Sequence, residues 1–387
     1  MIQAHIDLIL SIILILILIR RFHVSVAVFA GALLLCFLIG LNCLEILYKT
    51  IISIQTIKYL IIFTLAFTLA YSMKESGVLD ELTISALSIF GRSSIVIIPA
   101  MIGLLPMPGG AIVSAILLKN VFEKFKVSSE KATFLNYWFR HIWACLDPIY
   151  PSVILILAIL ELNYPAMLKS TYPITVMMTL AGLPFIIGTP NVRNKDRNYK
   201  GLINLLPILT VIILTVLGID LLYSLAISII IFYLFKRPNL KSVARDVFNP
   251  RIYLLVIALL FYKEIILRSN SAEEFMRAIT ALGIPDVVVA STLSFIMGFA
   301  TGIESGYAAI AIPLLSTFTG IGDEIVQKNL MLVVGFGIMG VMFSPLHLCL
   351  ILTKEYYSAN LEKVYTRYLI PSGILTLFSI YVLYYLS

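Results

Sequence analysis

Apolar residues come in long runs separated by short polar breaks. The runs fall at about 2–19, 24–41, 56–72, 132–162, 171–190, 202–218, 219–235, 252–268, 326–353 and 366–386. A membrane-spanning helix needs about 20 predominantly apolar residues, so the pattern predicts ten spans. Two further apolar segments, 94–118 and 285–318, differ from these. Each is interrupted at its centre, by Pro106-Met107-Pro108-Gly109-Gly110 in the first and by Thr301-Gly302-Ile303-Glu304-Ser305-Gly306 in the second. Proline removes a backbone donor and clashes with the preceding helical turn. Each segment therefore predicts a re-entrant hairpin, two half-helices that enter and leave on one side. Non-helical backbone at such depth is tolerated where protein buries it or where it lines a wet cavity.

The pattern also repeats. Gly110 and Gly306 stand 196 positions apart, Pro148 and Pro345 stand 197 apart, and Pro173 and Pro371 stand 198 apart. Amphipathic stretches precede both hairpins, at 78–90 and 272–282, and predict helices in the membrane plane. Each half reads as three spans, an interfacial helix, a hairpin, a helix broken at Asp147-Pro148 or Ser344-Pro345, and a final span. Five spans per half is an odd number, so the second copy must be inverted relative to the first. The predicted fold is an all-α polytopic membrane protein. It has an inverted repeat of five transmembrane helices, two re-entrant hairpins and broken helices, a layout that many secondary transporters use.

Composition sharpens this picture. Only 13% of the 387 residues are charged and 60% are apolar, with a mean hydropathy of +1.01. Those figures exclude a soluble enzyme, a nucleic-acid-binding module and a disordered chain. The net charge of +7 needs no acidic partner. With the N-terminus outside and both hairpins returning to their side of entry, most of the 28 lysines and arginines face the cytoplasm, as the positive-inside rule requires. The basic pair Arg20–Arg21 follows the first apolar run instead of preceding it, so that run reads as a retained helix and not a signal peptide. Cys36, Cys43, Cys145 and Cys349 form no CxxC pair and read as small apolar residues. There is no HExxH, GxSxG or Walker A sequence, so neither an enzyme nor an ATP-driven pump is expected.

The order of hairpin, broken helix and last helix, twice and inverted, resembles the ion transporter superfamily of organic-acid and anion permeases. The segments LLPMPGGAIVSAILL and GFATGIESGYAAIAIPLL look most like an uncharacterised prokaryotic membrane-protein family near the gluconate permeases. The resemblance covers nearly the whole chain as architecture and is specific at the two hairpin tips. Dicarboxylate permeases of that group carry Ser-Asn-Thr at each tip. Here the tips read Pro108-Gly109-Gly110 and Glu304-Ser305-Gly306, and only Ser305 offers a comparable hydroxyl. The resemblance implies a scaffold of about 1–91 and 202–283, a transport part of about 92–201 and 284–387, interfacial arms joining them, and a homodimer.

Several residues carry candidate chemistry. Glu304 lies at the second tip, and a carboxylate at bilayer depth needs a partner, an ion or water. It reads as the holder of a coupling cation or proton, or as a structural partner of a helix N-terminus or an arginine. Thr301, Gly302, Ser305 and Gly306 surround it, as Pro108, Gly109 and Gly110 form the other tip. Asp147 offers a carboxylate to sodium beside carbonyls freed by Pro148, or caps the half-helix that follows; Ser344 is its counterpart. Arg140 suits an anionic substrate or pairs with Asp147 or Glu304. His141 and His347 read as proton relays or as hydrogen-bonded fillers. A zinc site from His141, Asp147 and His347 has no metal spacing behind it, and no metal is expected beyond sodium near Asp147 and Glu304. Lys263 and Glu264 can snorkel and receive no role.

The sequence therefore predicts a multi-pass cell-membrane protein with both termini outside. Its expected activity is secondary transport of a small anion, an organic acid by class, coupled to sodium or protons by alternating access. No other cofactor and no nucleic acid is expected. A passive ion channel, or a membrane protein without transport activity, is the alternative.

Overall fold

Helices begin where a polar residue meets an apolar run. Ser53, Ser128, Asn163, Asp220, Asn239 and Asn249 each accept a first-turn backbone N–H with a side-chain oxygen. The structure is a computed structural model that describes residues 4–105, 110–187 and 198–387. Its first half builds α1 (Ala4–Leu18), α2 (Val24–Ile39), α3 (Cys43–Ile52), α4 (Ile54–Glu75), α5 (Val78–Phe90), α6 (Ser94–Gly103), α7 (Gly110–Lys124), α8 (Ser129–His141), α9 (Pro151–Leu160) and α10 (Tyr164–Gly182). The second half begins with α11 (Leu206–Val216), α12 (Leu221–Phe235), α13 (Leu240–Val247), α14 (Pro250–Ser269), α15 (Ser271–Thr280), α16 (Asp286–Thr301) and α17 (Glu304–Leu314). It continues with the short α18 (Ser316–Thr319), α19 (Gln327–Phe343), α20 (Leu348–Tyr356), the short α21 (Leu361–Val364) and α22 (Ile370–Leu386). The described residues contain no strand.

The protein is thus all-helical and of membrane type. Helical stretches at Ile54–Glu75, Val78–Gly103, Gln327–Tyr356 and Leu361–Leu386 are long and apolar enough to cross a bilayer, and shorter apolar helices accompany them. Each predicted span coincides with helix over most of its described residues, apart from the breaks between α8 and α9 and between α19 and α20. α10 begins at Tyr164, earlier than the apolar run, because Asn163 caps it and Pro165 fits its first turn. Gly91, with φ +51, separates the amphipathic α5 from α6. The first hairpin tip, including Pro108 and Gly109, lies outside the described residues.

Contacts recur with exchanged partners. α2 packs on α14, and α12 on α4. α3 also meets α14, and α13 meets α4. α9 packs on α17, and α20 on α7; α6 lies on α8, and α16 on α19. α9 and α17 run through the interior, with nearly every residue buried. The periphery shows apolar stripes at helical spacing, such as Ile6, Leu10, Ile13 and Ile17 on α1 and Tyr223, Ile227, Ile230 and Leu234 on α12. Such stripes suit lipid contact, since they would be unfavourable in water.

Close approach depends on glycine. A Cβ on Gly103 of α6 would overlap the carbonyl of Arg140 on α8. A Cβ on Gly298 of α16 would overlap the carbonyl of Gly337 on α19, and one on Gly340 would overlap that of Phe295. Small residues let helix backbones come together where lipid supplies no hydrophobic drive.

Two expectations are corrected. Cys36 and Cys43 do not act as separate apolar residues: they form a disulfide across the α2–α3 turn, with Cα atoms 5.8 Å apart. Gly40, at φ +77, caps α2 and folds the chain back, which brings the two thiols together. Lys263 does not snorkel. It is 3% exposed, and its Nζ donates to Glu161 Oε1 at 2.7 Å, while Glu161 is 54% exposed. An ammonium without its carboxylate is costlier than no pair at all. Glu161→Gln is therefore expected to destabilise the protein by about 2 kcal/mol, and Lys263→Met by clearly less. Thermal unfolding in detergent measures the two, and equal losses would mean that Lys263 is not buried as described.

Candidate functional site

The site forms where two helix breaks meet one hairpin turn. α8 starts at the Ser128 cap and is buried from Ala132 to its end, so its last residues, Arg140 and His141, are delivered to the interior. The chain then leaves helical geometry until α9 opens at Pro151. The second break spans Ser344–His347, between α19 and α20. Between α16 and α17, Gly302 turns the chain at φ +63, and α17 begins at Glu304 with no side chain capping its first turn. A Cβ on Gly302 would sit 3.0 Å from Ser344 Oγ and 3.1 Å from the His347 nitrogen. The turn is thus pressed against the second break.

A cavity of about 320 Å³ opens beside this junction. Arg140, His141, Tyr150, Glu304, Ser305 and Cys349 line it, together with Phe63 and Phe67 from α4, His23 before α2 and Asn249 before α14. Arg140 is 3% exposed, and its Nε and Nη1 have no hydrogen-bond partner among the described residues. It forms no ion pair with Asp147 or Glu304 among the described residues. Buried donors of a fixed charge are costly when unmatched, and a planar guanidinium fork matches carboxylate or phosphate. Such a fork can meet an anion at the edge of the cavity.

The histidines lie close to Glu304. His141 Nδ1 is 2.6 Å from the Tyr137 carbonyl oxygen, and His347 Nδ1 is 2.8 Å from that of Gly302. A carbonyl only accepts, so each Nδ1 carries the hydrogen. The two Nε2 atoms then meet at 3.3 Å, a distance that a shared proton or a cation can bridge. His141 Nε2 is also 3.7 Å from Glu304 Oε1.

The remaining sequence candidates fall into the surrounding frame. Thr301 Oγ1 donates to the Met297 carbonyl, and its Cβ rests where a side chain on Gly306 would go. Ser344 Oγ donates to the Phe299 carbonyl and accepts from the Leu346 N–H. Gly110 opens α7 and is buried. Asp147 is buried away from the cavity and does not cap α9, whose N-cap is Tyr150. Its Oδ1 accepts from the Ile149 N–H, as Ser344 does from Leu346, and its Oδ2 has no partner. Carbonyls in the first break already accept hydroxyls: Ile142 from Thr175, Ala144 from Ser152, and Leu146 from Tyr164. Cys349 was not foreseen at the site. The signal was its position two residues after His347, just past the Ser344-Pro345 break.

The profile of a family described as a protein of unknown function, DUF401, matches residues 3–386. The chain belongs to the DUF401 family. A search of curated proteins finds no match to it. The geometry above therefore describes a helical membrane protein of the DUF401 family with a buried arginine, a carboxylate and His141 around one cavity, and His347 packed behind His141.

Proposed function

We propose that this DUF401 protein is a secondary transporter of a small anion, an organic acid by class, coupled to a cation gradient of sodium or protons. Arg140 carries the reading: a guanidinium with two unmatched N–H donors, buried at the edge of a cavity, is built to meet an anion. The uncapped first turn of α17, at Glu304 and Ser305, adds backbone dipole of the same sign.

The exchanged contacts support an inverted repeat. If the N-terminus is outside, odd crossings per half place the first hairpin on the cytoplasmic side and the second on the outer side. The order of hairpin, broken helix and last helix resembles the ion transporter superfamily, which has such an architecture. Arg20, Arg21, Lys241, Arg245 and Arg251 then lie inside, next to the His23 and Asn249 end of the cavity. Lys58–Asp220, Lys263–Glu161 and the bond from Gln55 to the Ala158 carbonyl lie outside. The cavity thus opens inward, with polar ties across the outer side, as one end state of alternating access requires.

Glu304 supplies the negative charge that a coupling cation needs. The test is charge movement by proteoliposomes on a supported membrane, with a panel of organic and inorganic anions, with and without sodium, at two pH values. A saturable current for one anion that depends on sodium or pH is expected. Glu304→Gln is expected to abolish that dependence while the protein stays folded, and normal coupled transport by the variant would overturn the assignment. Conductance without saturation would point to a channel.

A further inference from the structure

We propose that His141, His347, Cys349 and Glu304 hold one divalent transition-metal ion of the zinc type. The histidine geometry carries the inference. Both rings are tied by Nδ1–H to backbone carbonyls, the outer bond that fixes metal-ligating histidines. Both therefore turn Nε2 toward the same contact, where the two atoms meet. Two nitrogens about 2.0–2.1 Å from a single tetrahedral zinc lie about 3.3–3.4 Å apart, and these lie 3.3 Å apart. Two neutral imidazoles gain nothing from such a meeting unless a positive centre sits between them.

Cys349 supplies the third donor. Its Sγ and the two Nε2 atoms all lie within 4.8 Å of one another, and closing to zinc–sulfur and zinc–nitrogen bond lengths takes a shift of about 1 Å. Glu304 Oε1, 3.7 Å from His141 Nε2, lies beside this trio and would move inward to take the fourth position.

Charge agrees with this set. A dication with one thiolate and one carboxylate is neutral, which removes the cost of burying Glu304 beside lipid. Donor softness agrees as well. Sodium is hard and takes oxygen ligands, whereas imidazole and thiolate select zinc and its neighbours. The ligands come from three places: the end of α8, the start of α17, and the second break with α20. A bound ion would therefore clamp the hairpin turn to both broken helices, next to Arg140.

This inference does not depend on the transport reading, and its test does not read transport. The full-length protein is purified in detergent, stripped with chelator, loaded with zinc and freed of excess ion, and its metal is counted by mass spectrometry. About one zinc per chain, with nitrogen and sulfur neighbours in the X-ray absorption spectrum, is expected. Cys349→Ser is the conservative variant. It should remove the sulfur signal and weaken zinc at least about tenfold, and Cys145→Ser should change neither. Wild-type protein that keeps no zinc after loading would overturn the proposal, and the histidine pair would then share a proton. Equal zinc in wild type, Cys349→Ser and His347→Ala would also overturn it, as adventitious binding. A chain that holds zinc but carries no current would fail as a transporter and keep its metal site.

Discussion

Arg140→Gln is expected to abolish anion-driven current and to leave the ligand-free protein at least as stable as the wild type. Two charge-assisted hydrogen bonds at about 1.5 kcal/mol each amount to roughly a hundredfold in affinity. Stability should move the other way, because Nε and Nη1 of Arg140 are buried without partners, and removing them relieves an unmatched charge. Arg140→Lys should recover only part of the binding, since a point charge cannot offer a planar pair of donors. Thermal unfolding with and without the transported anion, beside current amplitudes, reads both effects. A structural arginine would give the opposite result, a less stable variant whose remaining folded fraction binds normally.

Gly103→Ala should cost about 3 kcal/mol and scatter the protein into aggregates on size exclusion. The added Cβ overlaps the Arg140 carbonyl, which belongs to helix backbone and cannot rotate away. Gly340→Ala meets the Phe295 carbonyl in the other half and should act alike. Gly218→Ala is the control. Gly218 has open space around it, and only its positive φ opposes a side chain, so a smaller loss, about 1 kcal/mol, is expected. Monodispersity and melting temperature in one detergent compare the three. If Gly103→Ala melts with or above Gly218→Ala, α6 and α8 are not packed backbone to backbone.

Much of the fold was legible because bilayer helices announce themselves by apolar length. The breaks were legible for a related reason: Pro148 and Pro345 stop helices that hydropathy alone would continue. α3 and α13 escaped because they are short and amphipathic. Val243 and Val247 are one turn apart, too few for a periodic signal. At the site, Arg140, His141, Glu304 and Ser305 were singled out because charge and hydroxyl are rare among lipid-facing residues, and all four line the cavity. Cys349 was hidden because a cysteine in an apolar run resembles any small residue, and only the fold puts it beside residues 206 positions apart in sequence. Lys263 was misread for a geometric reason: the sequence gives its depth along α14 and not the rotation that turns it toward Glu161.

The bridge between Cys36 and Cys43 has a bearing on how the chain is made. Thiols oxidise and stay oxidised outside the cytoplasm, not within it. In the orientation proposed above, with the N-terminus outside, the α2–α3 turn closes only after the growing polypeptide has passed it across the membrane. The bond becomes a chemical record of insertion, written once per molecule at the second helix. Chains threaded the wrong way round would retain two reactive thiols at this turn, and alkylation before reduction would count them.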